Sequence, residues 1–80
     1  MKILKFYVET CVPCRMLGKI LDKMDVEVEN INATEDLAKV DEYEVCNTPT
    51  LVFLNDDGKE VARITGPTTQ GKIQEILDKN

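Results

Sequence analysis

The chain opens on an apolar run, Met1 to Val8, that Pro13 cuts short. The run is rich in Ile, Leu, Phe, Tyr and Val and too short for a helix before the proline intervenes, so it fits a buried strand of about six residues. From Val12 onward the period changes. Met16, Leu17, Ile20, Leu21 and Met24 recur at three- and four-residue steps, which predicts an amphipathic helix. Thr10 is a candidate cap for it, and Pro13 stands in the first turn, where its missing N–H is tolerated. A strand that runs directly into a helix leads into a crossover.

Val26 to Ile31 alternates and reads as a second strand. Asn32 to Asp36 is a turn into a second helix carrying Leu37, Val40 and Tyr43, with Asn32 or Thr34 as its cap. Asn47-Thr48-Pro49 ends that helix. Thr50 to Leu54 is apolar enough to be a central strand, Asn55-Asp56-Asp57-Gly58 signals a hairpin, and Glu60 to Thr65 returns antiparallel. A last helix, capped by Thr68 or Thr69, carries Ile73, Ile76 and Leu77. The order β-α-β-α-β-β-α predicts an α/β fold: a four-stranded mixed sheet with helices on both faces.

At 80 residues, the chain is expected to form one domain over residues 1–80, with a folded surface of roughly 4,900 Å² and a thin core. That excludes a catalytic barrel, a large cofactor cavity and a mechanism with two closing lobes. Ten Lys and Arg against 15 Asp and Glu give a net charge of −5, the two signs interspersed. Nucleic acid is therefore not an expected partner. No apolar run approaches the roughly 18 to 20 residues of a membrane span, and Met1-Lys2-Ile3-Leu4-Lys5 has charges inside its apolar stretch and no cleavage site. A cytoplasmic monomer without membrane association is expected.

Three cysteines cannot form a closed disulfide framework, and two of them stand as Cys11-Val12-Pro13-Cys14 at the helix start. Helix N-terminal N–H groups stabilise negative charge, so the Cys11 thiol should ionise below the roughly 8.5 of a free cysteine. A Cys11 thiolate attacks a disulfide, and Cys14, one turn on and drawn inside the helix, resolves the mixed disulfide. Two other readings stay open. Zinc takes four ligands, and the chain adds only Cys46 and no histidine, so a metal or iron–sulfur cluster would have to be shared between chains. The pair could also pack simply as two small hydrophobes.

The segment Phe6-Tyr7-Val8-Glu9-Thr10-Cys11-Val12-Pro13-Cys14 resembles the active-site segment of the thioredoxin family, and Thr48-Pro49-Thr50-Leu51 looks like its cis-proline turn. Gly66 falls where that family has a glycine after its last strand. The resemblance covers nearly the whole chain and implies a thioredoxin-like fold, a cis Pro49 beside the disulfide, and a Thr48 backbone free to pair with an extended substrate. Val12 and Pro13 complete the implied substrate-facing set. On physical grounds alone, Pro49 could equally be an ordinary trans proline opening a strand.

Departures carry information too. The extra strand and helix that precede the core in full thioredoxins are missing, so the chain resembles the smaller glutaredoxin-sized form. Proline next to the second cysteine leans towards thioredoxin, and Gly66-Pro67-Thr68-Thr69 does not resemble the glutathione-holding segment of glutaredoxins. Thr10 replaces the family's usual tryptophan, leaving a smaller, less apolar site. Lys5 falls where thioredoxins bury an aspartate. It either extends its ammonium past the sheet edge into water or, if buried, favours thiolates and pairs with an acid such as Glu29. Cys46 is expected to pack as a small hydrophobe, or else to lie exposed beside the substrate groove. Asp41-Glu42-Tyr43-Glu44 reads as a solvated helix face that could also steer basic partners.

These readings converge on a thiol–disulfide oxidoreductase acting as a protein-disulfide reductase. Its partners would be disulfide-containing proteins and an electron donor of the thioredoxin-reductase type, with no bound cofactor or metal. Glutathione as donor, service to one dedicated enzyme, and a non-catalytic redox sensor or binding module are the rivals.

Overall fold

The opening apolar run forms strand β1 over Lys2–Tyr7, and the helix that follows, α1, spans Val12–Asp22. The computed structural model describes residues 1–80. After these come β2 (Glu27–Asn32), α2 (Leu37–Glu42), β3 (Thr50–Leu54), β4 (Glu60–Thr65) and α3 (Gln70–Lys79). The strands lie in the order β2-β1-β3-β4. Here β1 runs parallel to β2 and antiparallel to β3, which pairs antiparallel with β4. The four-stranded mixed sheet expected from the pattern is the one observed.

Period-two alternation along β1 divides the core between the two faces of the sheet. Ile3 packs with Leu17 and Leu21 of α1, Leu51 and Phe53 of β3, and Ile73 of α3. Leu4 and Phe6 face the other way, with Ile31, Val52 and Leu54, and Val40 and Tyr43 close over them from the α2 side. The Phe6 and Tyr43 rings meet at 6.0 Å, tilted. Helices thus cover both faces, and β3 is buried along its whole length because it is central and covered twice. The accessible surface is 5038 Å² and the radius of gyration 11.7 Å. Both are close to the roughly 4,900 Å² and 11.6 Å of a compact chain this size.

The first two helix starts differ from the expected caps, and the third agrees with one of the two expected residues. Cys11, not Thr10, caps α1. Asp36 caps α2, its Oδ1 accepting the Lys39 N–H at 3.1 Å, because Asn32 and Thr34 are already engaged with each other in the preceding turn. Thr69 caps α3, its Oγ1 accepting the Lys72 N–H at 3.2 Å. Two expected apolar contacts are absent as well: Met16 is 59 % exposed and Leu37 68 % exposed. No helix is long and apolar enough to cross a membrane.

Candidate active site

Cys11 leaves β1 in extended backbone and becomes the N-cap of α1, its Sγ accepting the Cys14 N–H at 3.1 Å. A disulfide joins the two residues across a Cα–Cα distance of 5.2 Å. Val12 and Pro13 fill the first helical positions, where the absent proline N–H leaves no intrahelical bond unmade. Helical spacing then separates the sulfurs by environment. Cys14 lies on the stripe of Leu17 and Leu21 and is 2 % exposed, whereas Cys11 is half-buried at the helix tip. Val12, Pro13 and Met16 turn outward and leave an apolar rim beside Cys11. The N–H that reaches the Cys11 sulfur, together with the helix dipole, stabilises a Cys11 thiolate once the disulfide is opened.

The register of β1 with β3 aligns Phe6 with Thr50. The Cys11–Cys14 turn therefore lies at the same end of the sheet as the segment preceding β3. There the Thr48–Pro49 peptide bond is cis and Pro49 is fully buried. Two bonds brace the turn. The Pro49 carbonyl accepts the Gly66 N–H at 2.8 Å, and the buried Thr50 hydroxyl donates to the Asn47 carbonyl at 2.6 Å. Gly66 has φ +89°, a conformation an L side chain rarely adopts. Neither the N–H nor the carbonyl of Thr48 bonds to another protein group. A groove of about 320 Å³ beside it is lined by Val8, Val40, Val45, Cys46 and Thr48.

Cys46 departs from its expected packing: it is exposed and unpaired, its Sγ only in weak contact with the Glu44 carbonyl at 3.9 Å. The loop reaches that position through Glu44, which has φ +52°. The acidic residues Asp41, Glu42 and Glu44 are exposed, as a solvated face requires.

Lys5 takes neither of its two expected settings in full. It is half-buried on the sheet face that α1 covers, its Nζ 5.6 Å from the centre of the Tyr7 ring. Burial lowers its pKa, and the charge of Asp22 opposes that shift. Glu29 is not its partner. The registers Leu4↔Glu29 and Lys5↔Asn30 put Glu29 on the opposite face, where it meets Lys2 at 2.7 Å. That hydrogen bond raises the Lys2 pKa and lowers that of Glu29. A small cleft of about 190 Å³ is lined by Lys5, Tyr7, Val8, Glu9, Cys14 and Arg15. The Arg15 guanidinium closes one side by donating to the Glu9 carbonyl at 3.1 Å.

Sequence reasoning passed over two of these residues. The Thr50 hydroxyl gave no signal, because a buried threonine in a strand reads as packing. Gly18 did give one: a glycine inside a helical pattern asks for a reason. A Cβ there would stand 3.0 Å from the Lys5 Nζ.

A thioredoxin family model matches residues 1–79. A thioredoxin of Chlamydia pneumoniae is 34 % identical over 83 residues, covering 98 % of this chain and 80 % of its own. A prophage-derived thioredoxin-like protein of Bacillus subtilis is 27 % identical over 66 residues, covering 82 % of each. Among solved structures, a thioredoxin variant from Halobacterium salinarum superposes with a TM-score of 0.89 at 27 % identity, covering 98 % of this chain and 72 % of that one. The thioredoxin of Fasciola hepatica gives 0.86 at 26 %, with coverages of 98 % and 78 %. The match runs from the first strand to the last helix and includes the cysteine pair, so the chain belongs to the thioredoxin family of thiol–disulfide oxidoreductases.

Proposed function

We propose that the protein, acting as a single-domain monomer in the cytoplasm, reduces disulfides in other proteins by dithiol exchange. The observation that supports this most directly is the contrast between the two sulfurs. Cys11 is reachable at a helix tip with an N–H directed at it, while Cys14 is enclosed one turn behind. In the reduced protein, the Cys11 thiolate attacks one sulfur of a substrate disulfide, and the other leaves as a thiolate that takes a proton from water. The Cys14 thiolate then attacks the Cys11 Sγ. The second substrate sulfur leaves with the bonding pair, and the Cys11–Cys14 disulfide is formed. Two electrons have passed to the substrate, and an external donor of the thioredoxin-reductase type returns them.

The surroundings suit an extended polypeptide. Val12, Pro13 and Met16 offer exposed apolar surface next to Cys11 in the chain, and the unengaged Thr48 backbone presents one donor and one acceptor at the same end of the sheet. Reduction of insulin disulfides, followed with NADPH and a thioredoxin reductase and separately with glutathione and its reductase, tests the reading. Turnover in the first system and loss of it in Cys11→Ser are expected. Turnover only with glutathione makes the protein a glutaredoxin-like donor, and turnover in neither system refutes the general reductase role.

A further inference from the structure

Lys5 is the charged residue that the sheet presents on the α1 face. Its neighbours there are Ile3 and Tyr7 on β1, Val28 and Asn30 on β2, and Leu51 on β3. None of these is anionic at neutral pH. The ion pairs of the protein engage the N-terminus, Lys2, Arg63 and Lys79, and leave Lys5 out. Two acids approach it. Asp22 on α1 acts on its charge without forming an ion pair, and Glu9 borders the cleft that Lys5 shares with Cys14. The remaining cation in that cleft, Arg15, is exposed and held to the Glu9 carbonyl. Lys5, half-buried and without an ion-pair partner, thus lines the same small space as Cys14.

Enclosure works against Cys14. A thiol that is 2 % exposed resists ionisation, yet the resolving step needs the thiolate. The Cys14 N–H is directed at the Cys11 sulfur, so that helix-tip donor does not serve Cys14 itself. A nearby positive charge acts in the opposite sense to burial.

We propose that the Lys5 ammonium is the positioning charge that keeps the enclosed Cys14 sulfur ionisable, so that resolution of the mixed disulfide proceeds at neutral pH. The proposal rests on Cys14 being the resolving thiol. Lys5 stays protonated throughout: the Cys14 proton goes to water, the Cys14 thiolate forms the bond to the Cys11 Sγ, and the substrate sulfur departs with the electron pair. The effect is mutual. Burial lowers the Lys5 pKa while the disulfide is closed, and a Cys14 thiolate alongside raises it again.

The experiment mixes reduced protein, in a Cys46→Ser background, with an aromatic disulfide dye whose released thiolate absorbs visible light. The first release reports attack by Cys11 and the second reports resolution by Cys14. Both are followed by stopped flow across pH for wild type, Lys5→Met, Lys5→Gln and Lys5→Arg, each first checked for cooperative unfolding. In Lys5→Met and Lys5→Gln the midpoint of the second phase moves up by about one pH unit, a loss of about tenfold in rate at neutral pH that is recovered in alkali. Lys5→Arg keeps the wild-type profile. Second-phase profiles that superimpose for wild type and Lys5→Met overturn the proposal, as does a shift confined to the first phase. Because the dye is a small disulfide, the result is read whether or not the protein turns over insulin, so the two proposals fail separately.

Discussion

Replacing Thr50 by valine removes one oxygen from the support of the cis-proline turn and leaves the shape of the side chain almost unchanged. Thr50 is 1 % exposed, and its hydroxyl donates to the Asn47 carbonyl at 2.6 Å. A buried neutral hydrogen bond contributes about 1 kcal/mol net. Asn47 is exposed, so its carbonyl regains water in the variant and the larger cost of an orphaned buried acceptor does not arise. The gain from an apolar methyl in a dry site offsets part of the loss. A net destabilisation of about 0.5–1 kcal/mol follows, or about 3–6 °C in Tm for a domain of this size. Thr50→Ser supplies the control. It keeps the hydroxyl and loses a buried methyl, at a similar cost of about 1 kcal/mol.

The two variants therefore match in stability and differ at the turn. Steady-state insulin reduction should show KM raised severalfold in Thr50→Val, because the Asn47–Pro49 segment is held only by the Pro49–Gly66 bond, while Thr50→Ser stays near wild type. Urea unfolding supplies the stability values. Equal KM values for the two variants would refute the idea that the hydroxyl braces the substrate turn. A Thr50→Val protein more stable than wild type would refute the energetic half of the argument.

Gly66→Ala should cost about 1–2 kcal/mol by denaturant unfolding, all of it conformational, because φ is +89° and no atom lies within 4 Å of the added Cβ; a loss under about 0.3 kcal/mol would mean the backbone relaxes freely there. The Glu60 carboxylate is bound by Arg63, a hydrogen bond that holds its pKa below the ordinary 4.5. Its contribution is thus fully present above that value and is lost as pH falls through the lower folded pKa. Wild type should exceed Glu60→Gln by less than about 1 kcal/mol at neutral pH, the pair being partly exposed, with the difference vanishing in acid; urea midpoints at several pH values check the sign.

Most of the fold was legible because the apolar pattern and the breakers agree. Thr50 to Leu54 could only be central, and Pro13 falls where a helix starts; the second helix, expected to run on to Asn47-Thr48-Pro49, instead stops at Glu42, where the chain passes through Tyr43 into the left-handed Glu44. What escaped was set by pairing and by loop paths. Whether Glu29 or Asn30 stands beside Lys5 depends on the register of β1 with β2, and a one-residue slip would exchange them; the chain alone does not state that register. Cysteine is not a usual capping residue. Cys11 caps α1 because its sulfur comes within reach of the Cys14 N–H, leaving Thr10 outside the helix. Asn32 turns its side chain to Thr34, which moves the start of α2 to Asp36. Cys46 is exposed in a loop that passes through the left-handed Glu44, a conformation that no composition rule locates.

Lys5 and Gly18 are two local exceptions that a single contact explains. A glycine in the interior of a helix costs about 1 kcal/mol relative to alanine. A half-buried ammonium with no ion-pair partner is a further cost that an apolar residue of similar length would avoid. Each alone looks like a poor choice. Together they fit, because the missing Cβ of Gly18 leaves the space that the Lys5 Nζ occupies, 3.0 Å from where that carbon would be. A domain with so thin a core has little stability to spare, about 4–12 kcal/mol at this length. The two coupled local costs meet at one contact under α1, the helix that carries Cys14, and the role proposed for the Lys5 charge gives a reason for keeping them.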